Sequence, residues 1–372
     1  MPEATSDVAV VFGGPSPEHD VSVLTGLQAA RALRSRCLYW SKTGDWYEVD
    51  PGLEGAAFVS GVPQGATRVQ LLVESGFSTE SSRFGRPRQL GIDVAVLCCH
   101  GGPGEDGTLE ALLDLAGVRY AGPTVAGAAL GMDKLAFGAV VAGAGLPSLP
   151  RVLLDRETAD PGFAGPYIVK PRFGGSSIGI SVVADLATAV HLLDTDRHLR
   201  AGAVIEPYRA DLFDLQIAVR MWPRPELSAI EKPLRTPRAG GAAGEPEILG
   251  YADKYVGGEG MASAPREVPA KLDRELEDAI RDAASAIGRL ACVRGVARVD
   301  FLSDGQALFV NEVNTIPGSL ARYLWIDPPV PFGQLLADMV AEARQRPSHH
   351  YSVEGADGVV LKGASSIAAK LA

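Results

Sequence analysis

Two short stretches carry the residue types best suited to handling an anion through a metal ion: Arg298-Val299-Asp300 and Asn311-Glu312-Val313-Asn314. Side chains two apart on a strand share a face. Arg298 and Asp300 therefore point together, as do Glu312 and Asn314. If the stretches pair through the turn at Asp304-Gly305, one face collects all four polar groups, while Val299, Phe301, Val310 and Val313 form the apolar reverse. Mg²⁺ takes hard oxygen ligands and commonly bridges carboxylates to nucleotide phosphates. Asp300, Glu312 and Asn314 suit that role as metal ligands, with Arg298 left to hold an anion. A merely solvated strand face is the competing reading, and the cleanly apolar reverse counts against it.

Other constellations leave two readings open. Lys170 precedes Gly174-Gly175-Ser176-Ser177, a turn whose N–H groups and hydroxyls could cradle phosphate beside a lysine point charge. It reads equally as a surface hairpin, and it is not a GxxxxGK[ST] loop. Lys134, after Met132-Asp133, and Lys254-Tyr255 read as exposed side chains or as site residues. Glu18 and His19 follow Gly13-Gly14 at the C-terminal end of the first strand, where open α/β sheets bind ligands. Glu18 could hold an ammonium group, or complement the dipole of a helix starting at Ser16 or Pro17. His100, at another strand end near Glu105, reads blandly as a satisfied polar residue. No HExxH, GxGxxG or nucleophile elbow is present.

The elements needed to position these groups follow from hydrophobic pattern. Asp7 to Phe12 is a strand, broken by Gly13-Gly14-Pro15. An amphipathic helix follows from about Val21 to Leu33, then a strand from Cys37 to Trp40, the opening of a doubly wound α/β unit. Asp93 to Cys99 is a buried strand, Thr108 to Ala116 a helix, and Met132 to Ala144 a single helix. From Pro166 the pattern changes to strands at Tyr167–Lys170, Ile178–Val183 and Ala203–Glu206, with a helix over 185–193. Pro233 to Glu247 reads as a mobile loop. A long helix over Leu272–Leu290 precedes the paired strands Val296–Leu302 and Ala307–Val313. These changes predict an N-terminal α/β substrate domain (1–130), a small subdomain (131–210), a C-terminal subdomain with the metal site (211–347) and a tail (348–372).

Composition narrows the classes. With 372 residues, 46% hydrophobic and 22% charged, the chain is an ordinary globular protein of two or three packed units. Its net charge of −10 disfavours nucleic acid as a partner. Cys37, Cys98, Cys99 and Cys292 lack the spacing of a zinc clamp and read as reduced thiols of a cytoplasmic protein. There is no signal-peptide pattern and no apolar run long enough for a membrane span.

Taken in order, these motifs resemble the D-alanine–D-alanine ligase family of the ATP-grasp superfamily. VVFGGPSPEHDVSVLTG, HGGPGEDGTLEALLDLAGVRYAGP, Met132–Lys134, VKPRFGGSSIGIS, Ala252–Tyr255 and GVARVDF with NEVNTIPG follow its pattern from about residue 7 to about 320. The resemblance implies an α/β ATP-grasp fold, in which an N-terminal doubly wound domain precedes two ATP-grasp α+β subdomains. It implies ATP and two Mg²⁺ ions, with Mn²⁺ as a substitute, amino-acid substrates, a homodimer and a place in peptidoglycan synthesis. Lys134, Lys170 and Lys254 would contact phosphates, and Ser176 and Ser177 would cover them. Glu206, Pro207 and Tyr208 would meet adenine, and Asp214 the ribose. Asp300, Glu312 and Asn314 would bind metal. Arg298 would hold the acyl-phosphate and tetrahedral oxygens, and Tyr255 would close the active-site loop. Glu18 would bind the first substrate's ammonium beside His100, with Ser176 also catalytic, while Gly318, Ser319 and Tyr323 would border the second substrate.

The chain departs from the pattern after Asn314-Thr315-Ile316-Pro317-Gly318. Where the family continues with Met or Phe and small hydroxyl residues that meet the second carboxylate, this chain reads Ser319-Leu320-Ala321-Arg322-Tyr323-Leu324-Trp325. Tyr323 takes the place of a small serine, and Arg322 could supply a replacement charge. The ribose-binding glutamate is replaced by Asp214. The expectation is a ligase with an intact ATP half and a remodelled second-substrate pocket. The alternatives are a paralogue that joins other amino acids or a nucleotide-binding protein without ligase activity.

Overall fold

A computed structural model describes residues 7–80, 87–234, 265–346 and 354–362. Three sheets organise them. The first has seven strands, β1 (Val8–Gly13), β2 (Arg36–Trp40), β3 (Trp46–Val49), β4 (Thr67–Leu72), β5 (Gly76–Thr79), β6 (Val94–Leu97) and β7 (Arg119–Ala121), in the order β5-β4-β3-β2-β1-β6-β7. β1 runs parallel to β2 and β6, and β6 parallel to β7. Every residue of β1 and β6 is buried, as expected of strands covered on both faces. β3, β4 and β5 extend this parallel centre as an antiparallel meander. Helix α1 (His19–Leu33) buries Val23 and Leu27 and ends at Arg34 in the left-handed conformation. Helix α2 (Thr108–Ala116) matches its expected range and ends on left-handed Gly117.

The expected single helix over Met132–Ala144 is two helices, α3 (Val125–Met132) and α4 (Lys134–Gly143). Asp133 separates them. Its extended backbone breaks the first helix, and its carboxylate accepts the N–H groups of Leu135 and Ala136 to cap the second. The second sheet consists of β8 (Val152–Leu154), β9 (Tyr167–Pro171), β10 (Ser181–Val183) and β11 (Ala203–Pro207), in the order β10-β9-β11-β8. β10 begins three residues later than expected, because Ile178 belongs to the preceding turn. Helix α5 (Leu186–Thr195) backs this sheet.

The third sheet holds β12 (Phe213–Arg220), β13 (Glu226–Pro233), β14 (Arg266–Glu267), β15 (Ala297–Ser303) and β16 (Leu308–Asn314), in the order β14-β13-β12-β15-β16. Helix α6 (Arg274–Leu290) packs Ile280, Ala284 and Ile287 against it. Helix α7 (Phe332–Gln345) returns to the first sheet, where Leu335, Leu336 and Met339 join the core of β1, β6 and α1. No helix among the described residues is long and apolar enough to cross a membrane. Cys37, Cys98 and Cys99 are buried free thiols, and Cys292 is an exposed one.

Candidate active site

The paired strands form as the residue pattern requires. Arg298 lies opposite Asn314, and Asp300 opposite Glu312. A register shift after Asp300 places Phe301 opposite Val310 and leaves Asn311 as the extra residue. This bulge lets Val310 and Val313, three apart, share the apolar face. Neighbouring strands prolong the polar row. Asp300 pairs with Gln216 on β12, and Gln216 with Glu231 on β13. Glu231, Gln216, Asp300 and Glu312 therefore cross four strands at one level.

Arg298 grips Asp300 through two parallel bonds, Nε to Oδ1 at 2.7 Å and Nη2 to Oδ2 at 2.8 Å. Asn314 Nδ2 donates to Asp300 Oδ2 at 3.0 Å. Among the described residues no three His, Cys, Asp or Glu side chains gather into a metal cluster. A cation here would rest on the two carboxylates and Asn314. That donor set is all oxygen once the amide presents its carbonyl, and it fits a hard divalent ion.

Lys170 lines a cavity with Asp300 and Glu312, and its Nζ donates to Glu206 Oε2 at 2.9 Å and to Asn311 Oδ1 at 3.2 Å. Arg151 holds the other Glu206 oxygen at 2.6 Å, and also bonds the carbonyl oxygens of Lys134 and Asn311. Burial works against the Glu206 charge, but Lys170 and Arg151 outweigh it and hold the carboxyl at about 2. The Glu206 side chain thus serves this network, while Pro207, Tyr208 and Asp214 line the same cavity as Lys170. Lys134 donates to Gly174 O. Burial lowers its pKa, and the Glu312 carboxylate partly offsets the shift.

The glycine-serine loop closes over this region. Ser176 and Ser177 both adopt left-handed backbone, φ 54° and 59°, which non-glycine residues rarely hold unless surroundings enforce it. One restraint is clear: the Ser176 hydroxyl donates to Glu18 Oε1. Glu18 lies wedged between glycines. A Cβ at Gly101 would collide with its carboxylate, and one at Gly175 would come within 2.9 Å. His19 is buried away from the cavity, bonded to Gly14 O and the Tyr39 hydroxyl.

His100 Nδ1 faces the Ile316 carbonyl at 2.7 Å and must donate to it, so Nε2 accepts from Thr25 Oγ1 at 2.8 Å. Thr25 in turn accepts the N–H of Ser319. Burial brings the imidazole down to about 4, leaving it neutral near pH 7. Glu105 accepts the N–H groups of Gly101 and Ile316. Burial and the charge on Glu18 push its carboxyl up to about 8. These contacts clamp the loop after Asn314 onto the first sheet. Gly318 lines the cavity beside Arg298, whereas Ser319, Leu320 and Ala321 form a left-handed turn, and the Tyr323 hydroxyl faces Arg298 Nη1 at 3.5 Å. Arg322 does not supply the expected charge. It is exposed, with its guanidinium 5.7 Å from the Phe332 ring centroid.

Two adjoining cavities result. One is lined by Glu18, His100, Arg266, Arg298 and Gly318, the other by Lys170, Glu206, Tyr208 and Asp214. Lys134, Ser176, Gln216 and Glu312 line both. Lys254 and Tyr255 lie outside the described residues. Residues 7–123 match the family model described as D-ala D-ala ligase N-terminus, and residues 151–341 match D-ala D-ala ligase C-terminus. The D-alanine–D-alanine ligase of Mycobacterium bovis is 32% identical over 373 residues, covering 91% of this chain and 95% of the relative. This chain belongs to the D-alanine–D-alanine ligase family. It is an ATP-dependent carboxylate–amine ligase acting on small amino-acid substrates, in a family that uses a divalent metal.

Solved structures agree on the α/β ATP-grasp fold. The D-alanine–D-alanine ligase of Coxiella burnetii superimposes with a TM-score of 0.72 at 20% identity, covering 95% of this chain and 97% of that one. The VanG D-Ala:D-Ser ligase of Enterococcus faecalis gives 0.69 at 23% identity, covering 90% and 98%. Sequence reasoning missed three residues of this ligase's site. Arg151 stands alone before a three-residue strand, Asn311 becomes visible only once the bulge is known, and Arg266 falls between the expected loop ending at Glu247 and the expected helix from Leu272, where the pattern assigns no element.

Proposed function

We propose that this ligase joins the carboxylate of D-alanine to the amine of a second amino acid through an acyl phosphate. The observation that supports this reading is the shared wall of the two cavities: Lys134, Ser176 and Glu312 border both the nucleotide side and the substrate side. A carboxylate and the terminal phosphate of ATP would meet there. In the first step a carboxylate oxygen attacks the γ-phosphorus and ADP leaves. In the second the incoming amine attacks the acyl carbon, and phosphate departs from the tetrahedral intermediate.

Lys134 and Lys170 contact the phosphates beneath Ser176 and Ser177. The strand end at Glu206, Pro207 and Tyr208 borders adenine, and Asp214 meets the ribose. Glu18, with Ser176, orients the first ammonium group beside neutral His100, while Gly318, Ser319 and Tyr323 border the second substrate. Asp300, Glu312 and Asn314 would hold two Mg²⁺ ions, with Mn²⁺ as a substitute. Metal bound there would supply neutralising charge to the transferred phosphoryl group, and Arg298 neutralises charge on the acyl and tetrahedral oxygens. Lys254 and Tyr255 complete the site by family resemblance. The same resemblance supports a homodimer in the cytoplasm, in cell-wall precursor synthesis, with a substrate domain over 1–130 and ATP-grasp subdomains over 131–210 and 211–347.

Tyr323 supports an amine-side substrate other than D-alanine, because it brings a phenol hydroxyl against Arg298 and an aromatic ring against Arg266 where the family pattern has a small serine. Measuring Mg²⁺-dependent ADP release with D-alanine alone and with mixed D- and L-amino acid pairs tests both claims. Release should require D-alanine, with the highest kcat/KM for a mixed pair. No release with any pair would overturn the ligase reading. A wide preference for D-alanine alone would overturn the second-substrate claim.

A further inference from the structure

We propose that Arg266 receives the carboxylate of the amine-side amino acid, and that Glu231 and Tyr323 position its guanidinium for that task. The proposal rests on the ligase reading above, since only an amino-acid acceptor brings a second carboxylate to this cavity.

Four basic side chains line the substrate cavity: His100, Lys134, Arg266 and Arg298. Three have other duties. His100 is neutral and bonded at both ring nitrogens. Lys134 sits on the wall shared with the nucleotide side and bonds Gly174 O. Arg298 is engaged by both oxygens of Asp300 at the centre of the polar row. Arg266 differs in place and setting. It lies on β14, the edge strand farthest from β16, and lines the substrate cavity but not the nucleotide one.

Its setting is built from two sides. Nη1 lies 3.1 Å from Glu231 Oε1, and the Glu231 side chain is only 3% exposed. The guanidinium carbon stands 4.5 Å from the Tyr323 ring centroid, a stacking distance for arginine on an aromatic face. The Tyr323 hydroxyl meanwhile faces Arg298. One tyrosine therefore spaces two arginines, its ring under one and its hydroxyl against the other. An amino acid whose amine attacks near Arg298 and Asp300 would direct its carboxylate toward Arg266. A guanidinium has five N–H donors in a rigid fork, so it can hold Glu231 and a second carboxylate together. The acceptor class that follows is an amino acid with an unblocked α-carboxylate.

The test uses the full-length enzyme, Mg²⁺-ATP, D-alanine, and D-alaninamide as an acceptor that can act only on the amine side. Wild-type enzyme should favour D-alanine over D-alaninamide as acceptor by tenfold or more in kcat/KM. Arg266→Met should raise the amine-side KM at least tenfold and abolish that preference, while the KM values for ATP and the carboxyl-side D-alanine stay within twofold. Arg266→Lys should fall between. Arg266→Met/Glu231→Gln, which leaves no unpaired buried carboxylate, should repeat the loss if the single variant folds poorly. Equal use of the amide by wild-type enzyme, or a preference retained in either Met variant, overturns the proposal alone. Absence of ADP release from wild-type enzyme with every amino acid overturns the ligase reading and this proposal with it.

Discussion

Replacing Glu206 with glutamine removes the anion that Lys170 and Arg151 share. The carboxyl is held at about 2 against an ordinary 4.5. At 1.36 kcal/mol per unit, that depression is worth about 3 kcal/mol of stability near neutral pH. The figure agrees with the roughly 3–5 kcal/mol cost of removing one partner from a buried ion pair. Because the folded value lies below the unfolded one, the contribution is fully present above about pH 4.5 and is lost as pH falls towards 2. Equilibrium urea unfolding of wild type and Glu206→Gln should differ by about 3 kcal/mol at pH 7 and by roughly half that or less at pH 3. The variant should also bind ATP more weakly, since Lys170 loses its restraint. Equal stabilities at pH 7, or a difference that does not shrink on acidification, would refute the reasoning and return Glu206 to a purely nucleotide-facing role.

Glu312→Gln keeps side-chain volume and should abolish Mg²⁺-dependent ADP release with an unchanged circular dichroism spectrum; near-normal turnover by a folded variant would remove Glu312 from the metal site. Asn311→Ala deletes one acceptor of Lys170. It should raise the KM for ATP by roughly two- to tenfold, the effect of about 0.5–1.5 kcal/mol from one hydrogen bond, and leave the amino-acid KM values unchanged. A rise confined to the amino acids would show that Lys170 serves the other cavity.

The hairpin of β15 and β16 was legible because strand periodicity is 2 and its two faces differ sharply in polarity. The same periodicity cannot by itself place Val310 and Val313 on one face, and the bulge at Asn311 resolves the conflict. The split of the expected helix at Asp133 was harder to read. Residues 125–132 are mostly small and apolar, so they carry little amphipathic signal, and an aspartate before Lys134 reads as a cap only once the break is known. The meander of β3, β4 and β5 went unread because β4 buries only Val69 among largely polar neighbours. Long-range charge pairing left no local trace at all. Arg151 meets Glu206 across 55 positions, and Arg266 meets Tyr323 only through tertiary packing. Arg322, the arginine suggested by its place in the departing loop, instead faces outward.

Direct phosphorylation of the carboxylate is the step on which the proposed reaction turns. It is tested by supplying D-alanine labelled with ¹⁸O in its carboxylate, together with Mg²⁺-ATP and a competent acceptor, and examining the products by ³¹P NMR. An acyl phosphate intermediate yields ADP and inorganic phosphate carrying one ¹⁸O from the amino acid. Formation of AMP and pyrophosphate, or release of unlabelled phosphate during peptide synthesis, would contradict it.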